Sequence, residues 1–128
     1  MKKEALGFWN RALEALDAAE TLVSHQYNSC ASRAYYAAFN AISAHFALQN
    51  MTFKKHTSLQ MAVHRDMVKP GRWSHEIGAG LIFLSELRST GDYGGQVEVM
   101  PEEAAQAVAM ARRIMETIAT ENPQEFRF

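Results

Sequence analysis

The sequence has little of several things, and each shortage excludes a class. Its 128 residues hold one cysteine, three prolines and seven glycines. A single cysteine rules out an internal disulfide and a cysteine-rich zinc site. The low proline and glycine, beside 48% hydrophobic residues, argue against a disordered chain. No charge of one sign dominates: thirteen Lys/Arg face fourteen Asp/Glu, for a formal net charge of −1. A broad basic nucleic-acid surface and an acidic tail are both excluded, so any phosphate site must be a local cluster. Long apolar runs are missing too. No segment approaches the roughly 20 residues of a membrane span. Met1-Lys-Lys-Glu-Ala-Leu6 lacks the apolar core of a signal peptide, so the expected compartment is the cytoplasm.

What is present is alanine, clustered over 5–19, 31–47 and 104–119. Alanine is the best helix former and lets helices approach closely. Leu6, Trp9, Leu13, Leu16 and Val23 alternate in steps of three and four, interrupted by Glu20, and predict a first helix from about Lys3 to Ser24. Asn28 or Ser29 suits the N-cap of a second helix running to about Gln49, with Tyr35, Phe39, Ile42 and Phe46 as its large stripe and Asn50 as its C-terminal cap. A short helix follows from Thr57 or Ser58 to about Met67, burying Leu59, Ala62 and Val63. After Pro70-Gly71, Ser74 can cap a fourth helix with Ile77, Leu81, Leu84 and Leu87 on one face, ending in a loop over Ser89–Gly95. Pro101-Glu-Glu opens a fifth helix carrying Val108, Ala111, Met115 and Ile118, stopped by Asn122-Pro123. The expectation is one all-α, up-and-down bundle of four to five helices over 1–122, with a loose C-terminal tail over 123–128.

Common catalytic signatures are absent. There is no Glu-x-x-His pair, no H-E-x-x-H, no phosphate loop and no G-x-S-x-G elbow, so neither a metal nor a cofactor is expected. His45 and His64 read as ordinary helical positions, Cys30 as a small packing residue, and Arg112-Arg113 as a solvated face. Lys54, Lys55, Arg65, Lys69 and Arg72 form a weak basic concentration. The stretch Ser32-Arg-Ala-Tyr-Tyr-Ala-Ala-Phe-Asn-Ala41 differs. Arg33, Tyr36 and Asn40 share one polar strip at i, i+3 and i+7. Arg33 either pairs with a carboxylate such as Asp17 or Glu20, or presents a guanidinium to phosphate.

That ten-residue block resembles the second-helix signature of HEPN-domain proteins, in their small stand-alone bacterial and archaeal branch. Lys55-His56, Leu87-Arg88, Asp92-Tyr93 and Pro101-Glu-Glu-Ala104 follow in matching order, so the resemblance runs from about Phe8 to Ile118. It implies a helical bundle that dimerises and associates with nucleotides or RNA. It also implies a minimal nucleotidyltransferase as partner, in toxin–antitoxin or defence pairs. Ribonucleases of that superfamily carry an arginine followed four to six residues later by histidine. Arg88 fits the arginine, but Tyr93, Gly94 and Gly95 stand where the histidine falls. Arg33, Tyr36, His56, Arg88, Asp92 and Tyr93 are the candidate ligand cleft: the arginines for phosphate, a tyrosine for stacking, and His56 as the titratable group. His56 with Arg88 would be the catalytic pair of a metal-independent endoribonuclease. A non-catalytic scaffold or antitoxin-like bundle that binds a nucleotidyltransferase is the third expectation.

Overall fold

The computed structural model describes residues 2–128. Five helices follow in order: α1 (Lys2–Leu22), α2 (Tyr27–Ala47), α3 (His56–Val63), α4 (His75–Tyr93) and α5 (Pro101–Glu121). α3 runs on into one π-helical turn over His64–Val68. No strand occurs among the described residues. The fold is the all-α bundle expected.

Side-chain pairs fix the directions of the helices. Trp9 and Glu20 of α1 meet Arg127 and Arg112 respectively, so α1 and α5 are antiparallel. Cys30 faces Ala104 and His45 faces Asn122, so α2 and α5 run the same way. Glu76 pairs with Arg113 and Gly80 abuts Met110, which sets α4 against α5. α2 lies at the centre and packs against α1, α4 and α5. Its alanines Ala31, Ala34, Ala37, Ala38, Ala41, Ala44 and Ala47 are buried on nearly every side, which brings the flanking helices close.

Several local expectations shift for physical reasons. The buried face of α1 is Ala5, Trp9, Ala12, Ala15, Leu16 and Ala19, rotated from the leucine stripe, because close packing on α2 selects the small side chains. Leu6 is left on the surface and Glu20 pairs with Arg112 across to α5. α2 starts at Tyr27 after Gln26, and the Asn28 carboxamide is used elsewhere, accepting the Val99 amide at 2.9 Å. Asn50 takes the left-handed conformation (φ 62°) that ends α2. Ser74 holds the N-cap position of α4, but its hydroxyl makes no capping bond. Glu103 accepts the Met100 amide at 2.9 Å, half of a capping box at the start of α5.

Two corrections bear on function. The stretch from Ser89 to Tyr93, expected as loop, continues α4. Gly91 is there for close approach: a Cβ would sit 2.7 Å from the Asn28 carbonyl oxygen. The expected loose tail is docked. Phe126 is buried and stacks on Trp9 with ring centres 4.8 Å apart, while the Trp9 indole donates to the Arg127 carbonyl at 3.1 Å. Its two phenylalanines pack on the chain's own α1 and α5, with the Arg112 guanidinium over Phe128.

Candidate functional site

Extending α4 by one turn places Arg88, Asp92 and Tyr93 on a continuous helix facing the first half of α2. The spacing i, i+4 lets the Arg88 Nη1 reach Asp92 at 3.4 Å, a loose pair that leaves the guanidinium available. Nη1 also donates to the Tyr36 hydroxyl at 3.4 Å. The guanidinium carbon lies 5.3 Å from the Tyr35 ring centre, 5.8 Å from Tyr36 and 5.9 Å from Tyr93. Three aromatic rings therefore hold a cation that lacks a tight carboxylate. The Arg88 Nε is buried and has no hydrogen-bond partner among the described residues. A buried unsatisfied donor costs free energy, and a ligand that accepts from it recovers that cost.

The first residue of α3 enters the same cleft. The His56 ring stands 4.7 Å from Phe39, 5.4 Å from Tyr35 and 6.0 Å from Tyr36. Its Nδ1 meets the Tyr35 hydroxyl at 2.5 Å. Burial lowers the His56 pKa from its ordinary value, and the nearby Arg88 charge lowers it further. Burial pushes Tyr35 up to about 12, against smaller downward pulls from Arg88 and the Gln60 side chain. The Tyr35 hydroxyl and the His56 Nδ1 share this hydrogen bond, and the tautomer of the neutral imidazole sets which of the two donates. The lowered pKa favours the neutral ring near neutral pH, with one of its nitrogens tied to Tyr35.

Arg33 joins from the outer side. Its guanidinium carbon is 5.1 Å from the Tyr36 ring centre, and neither Asp17 nor Glu20 pairs with it among the described residues. Arg33, Tyr36, His56, Arg88, Asp92 and Tyr93 thus form one cluster around the Tyr35–Tyr36 pair. Tyr35 and Phe39 are the additions. Both belong to the apolar stripe of α2, and nothing in a periodicity reading separates a core tyrosine from one whose hydroxyl holds a histidine. No group of three or more His, Cys, Asp or Glu suited to a metal occurs among the described residues.

The HEPN domain family model matches residues 5–122, nearly all of the five helices and the whole cleft. The chain belongs to the HEPN family. The HEPN chain is also 33% identical over 119 residues to a UPF0332 protein of Thermotoga maritima, covering 91% of this chain and 90% of that one. A UPF0332 protein of Gloeobacter violaceus is 30% identical over 118 residues, with 91% and 94% covered. No helix of this HEPN domain is long and apolar enough to cross a membrane, among the described residues.

Proposed function

We propose that this HEPN protein binds a nucleotide or single-stranded RNA through the Arg88 cleft, and holds it without cutting it. The observation that carries the reading is the Arg88 guanidinium, set among Tyr35, Tyr36 and Tyr93 with a loose carboxylate and an unpartnered buried Nε. Phosphate oxygens accept bidentate bonds from such a fork, and the tyrosine rings supply faces and hydroxyls for a sugar or base. His56 adds a ring nitrogen beside them.

Binding is favoured over cleavage on chemical grounds. Cutting RNA without a metal needs one group to take the 2′-hydroxyl proton and another to protonate the leaving oxygen. Tyr93 occupies the position that a histidine would need, and the Nδ1 of His56 is tied to the Tyr35 hydroxyl. Labelled single-stranded RNA in EDTA, followed by anisotropy and then run on a gel, tests both halves. The reading expects saturable binding, weakened by Arg88→Ala, and RNA that stays intact. RNA degraded by the wild type but not by His56→Ala would replace this reading with the endoribonuclease one. Equal affinity of wild type and Arg88→Ala would remove the cleft from the account.

A protein partner is a second reading, compatible with the first and favoured by a separate surface. Met61 and Ile82, 67% and 53% exposed, flank a mostly apolar groove of about 800 Å³ between α3 and α4. A second copy of the chain or a minimal nucleotidyltransferase, in a toxin–antitoxin or defence pair, would bury it. Light scattering of wild type and Ile82→Glu measures the homodimer directly. A wild-type dimer that the glutamate dissociates supports this surface as the dimer contact, and a mass unchanged by the substitution moves the contact elsewhere.

A further inference from the structure

We propose that the polar cavity between α1 and α2 is a nucleobase subsite selective for guanine, read by the Glu14 carboxylate. The inference rests on the nucleotide-binding reading above and names the base that such a ligand carries. The cavity, about 340 Å³, is lined by Arg11, Glu14, Arg33, Tyr36 and Asn40 over two small residues, Ala15 and Ala18. Its volume falls within the range of small-ligand pockets, roughly 300–1,000 Å³. Helical spacing supplies its walls: Arg11, Glu14 and Ala18 at i, i+3 and i+7 on α1, with Arg33, Tyr36 and Asn40 at the same intervals on α2.

The charges in it do not close on one another. Among the described residues Glu14 forms no ion pair, and neither do Arg11 and Arg33, although all three line the same space. Tyr36 is a wall shared with the Arg88 cleft: Arg88 reaches its hydroxyl at 3.4 Å, and the Arg33 guanidinium sits 5.1 Å from its ring centre. A ligand whose phosphate lies on Arg88 therefore has a second polar chamber directly beside it. The Arg33 guanidinium plane gives a base something to stack against.

Chemistry selects which base. A carboxylate accepts two parallel hydrogen bonds best from two adjacent N–H donors. Guanine offers that pair on its Watson–Crick edge, N1–H beside the N2 amine. Adenine, cytosine and uracil each offer one donor group there. Arg11 and the Asn40 carboxamide then supply donors for guanine O6.

Competition binding to wild type, Glu14→Gln and Arg88→Ala decides it, using uridine tracts that contain one guanosine, one adenosine or neither. Glu14 is exposed on α1, so the glutamine variant keeps the fold, which circular dichroism verifies. The expected result is about tenfold tighter binding of the guanosine oligonucleotide by wild type, the scale of one bidentate base contact. Glu14→Gln erases that preference and leaves the other two affinities in place, while Arg88→Ala weakens all three alike. Equal wild-type affinities, or a guanosine preference that survives Glu14→Gln, overturn the guanine subsite and leave the Arg88 reading standing. Absence of any binding overturns both.

Discussion

Two histidine-centred clusters along α2, one at Tyr35–Phe39 and one at His45, have opposite character. Around His45 the polar groups are satisfied. The ring is 3% exposed, and its Nδ1 accepts from the Asn122 carboxamide at 3.0 Å. The Trp73 indole donates to Glu121 at 2.7 Å, and that carboxylate also stands 3.8 Å from both His45 and Arg72. This cluster joins the end of α5 to the segment before α4. Around His56 one polar atom is left over: the buried Arg88 Nε has no hydrogen-bond partner among the described residues. A matched network stabilises the fold, whereas an unmatched one keeps capacity for a ligand.

Substitutions can break that contrast, beginning with the largest effect. Trp73→Ala empties a buried site in the matched cluster and costs about 3–5 kcal/mol of stability, read as a lowered urea midpoint, with RNA affinity of the folded fraction unchanged. Arg88→Ala does the reverse. It weakens RNA binding by about 1.5–3 kcal/mol, roughly ten- to a hundredfold in Kd, with a small change in Tm. Tyr35→Phe costs about 1 kcal/mol of stability, read as a lowered Tm, because the hydroxyl's bond to His56 is lost.

The smallest effect is the pH dependence. Burial lowers both His45 and His56 from the ordinary 6.5, so the unfolded chain binds protons more readily than the folded one. Stability is therefore complete above about pH 6.5 and falls as the pH drops below it toward the folded-state values. Denaturation midpoints across that range check the sign. His45→Asn should flatten the acid slope more than His56→Asn, since His45 is the more buried ring.

The sequence made one of these clusters legible and hid the other. Arg33, Tyr36, His56, Arg88, Asp92 and Tyr93 carry chemistry on their faces, and the order of short motifs around them suggested that they belong together. His45 looked like an ordinary helical residue, because its partners Trp73, Glu121 and Asn122 are distant in sequence and none sits in a motif. Helix number followed from periodicity, but facing did not. On α1 Trp9 and Leu16 of the expected stripe are buried, but Ala5, Ala12, Ala15 and Ala19 complete that face and Leu6 stays on the surface, since close contact with α2 admits small side chains. The end of α4 was misplaced because Gly91 reads as a breaker until Asn28 is known to lie against it. Phe126 and Phe128 are odd for a free tail and suggest packing on a dimer mate, but no local signal shows that the chain's own Trp9 receives them.

The proposed ligand site is the His56–Arg88 cluster. NMR of the histidine rings and the arginine Nε–H groups during titration with short single-stranded RNA tests it most directly. RNA held at that cluster shifts the His56 ring and the Arg88 Nε–H in a saturable manner and leaves the His45 ring in place. Saturable RNA binding that leaves His56 and Arg88 unmoved would contradict it.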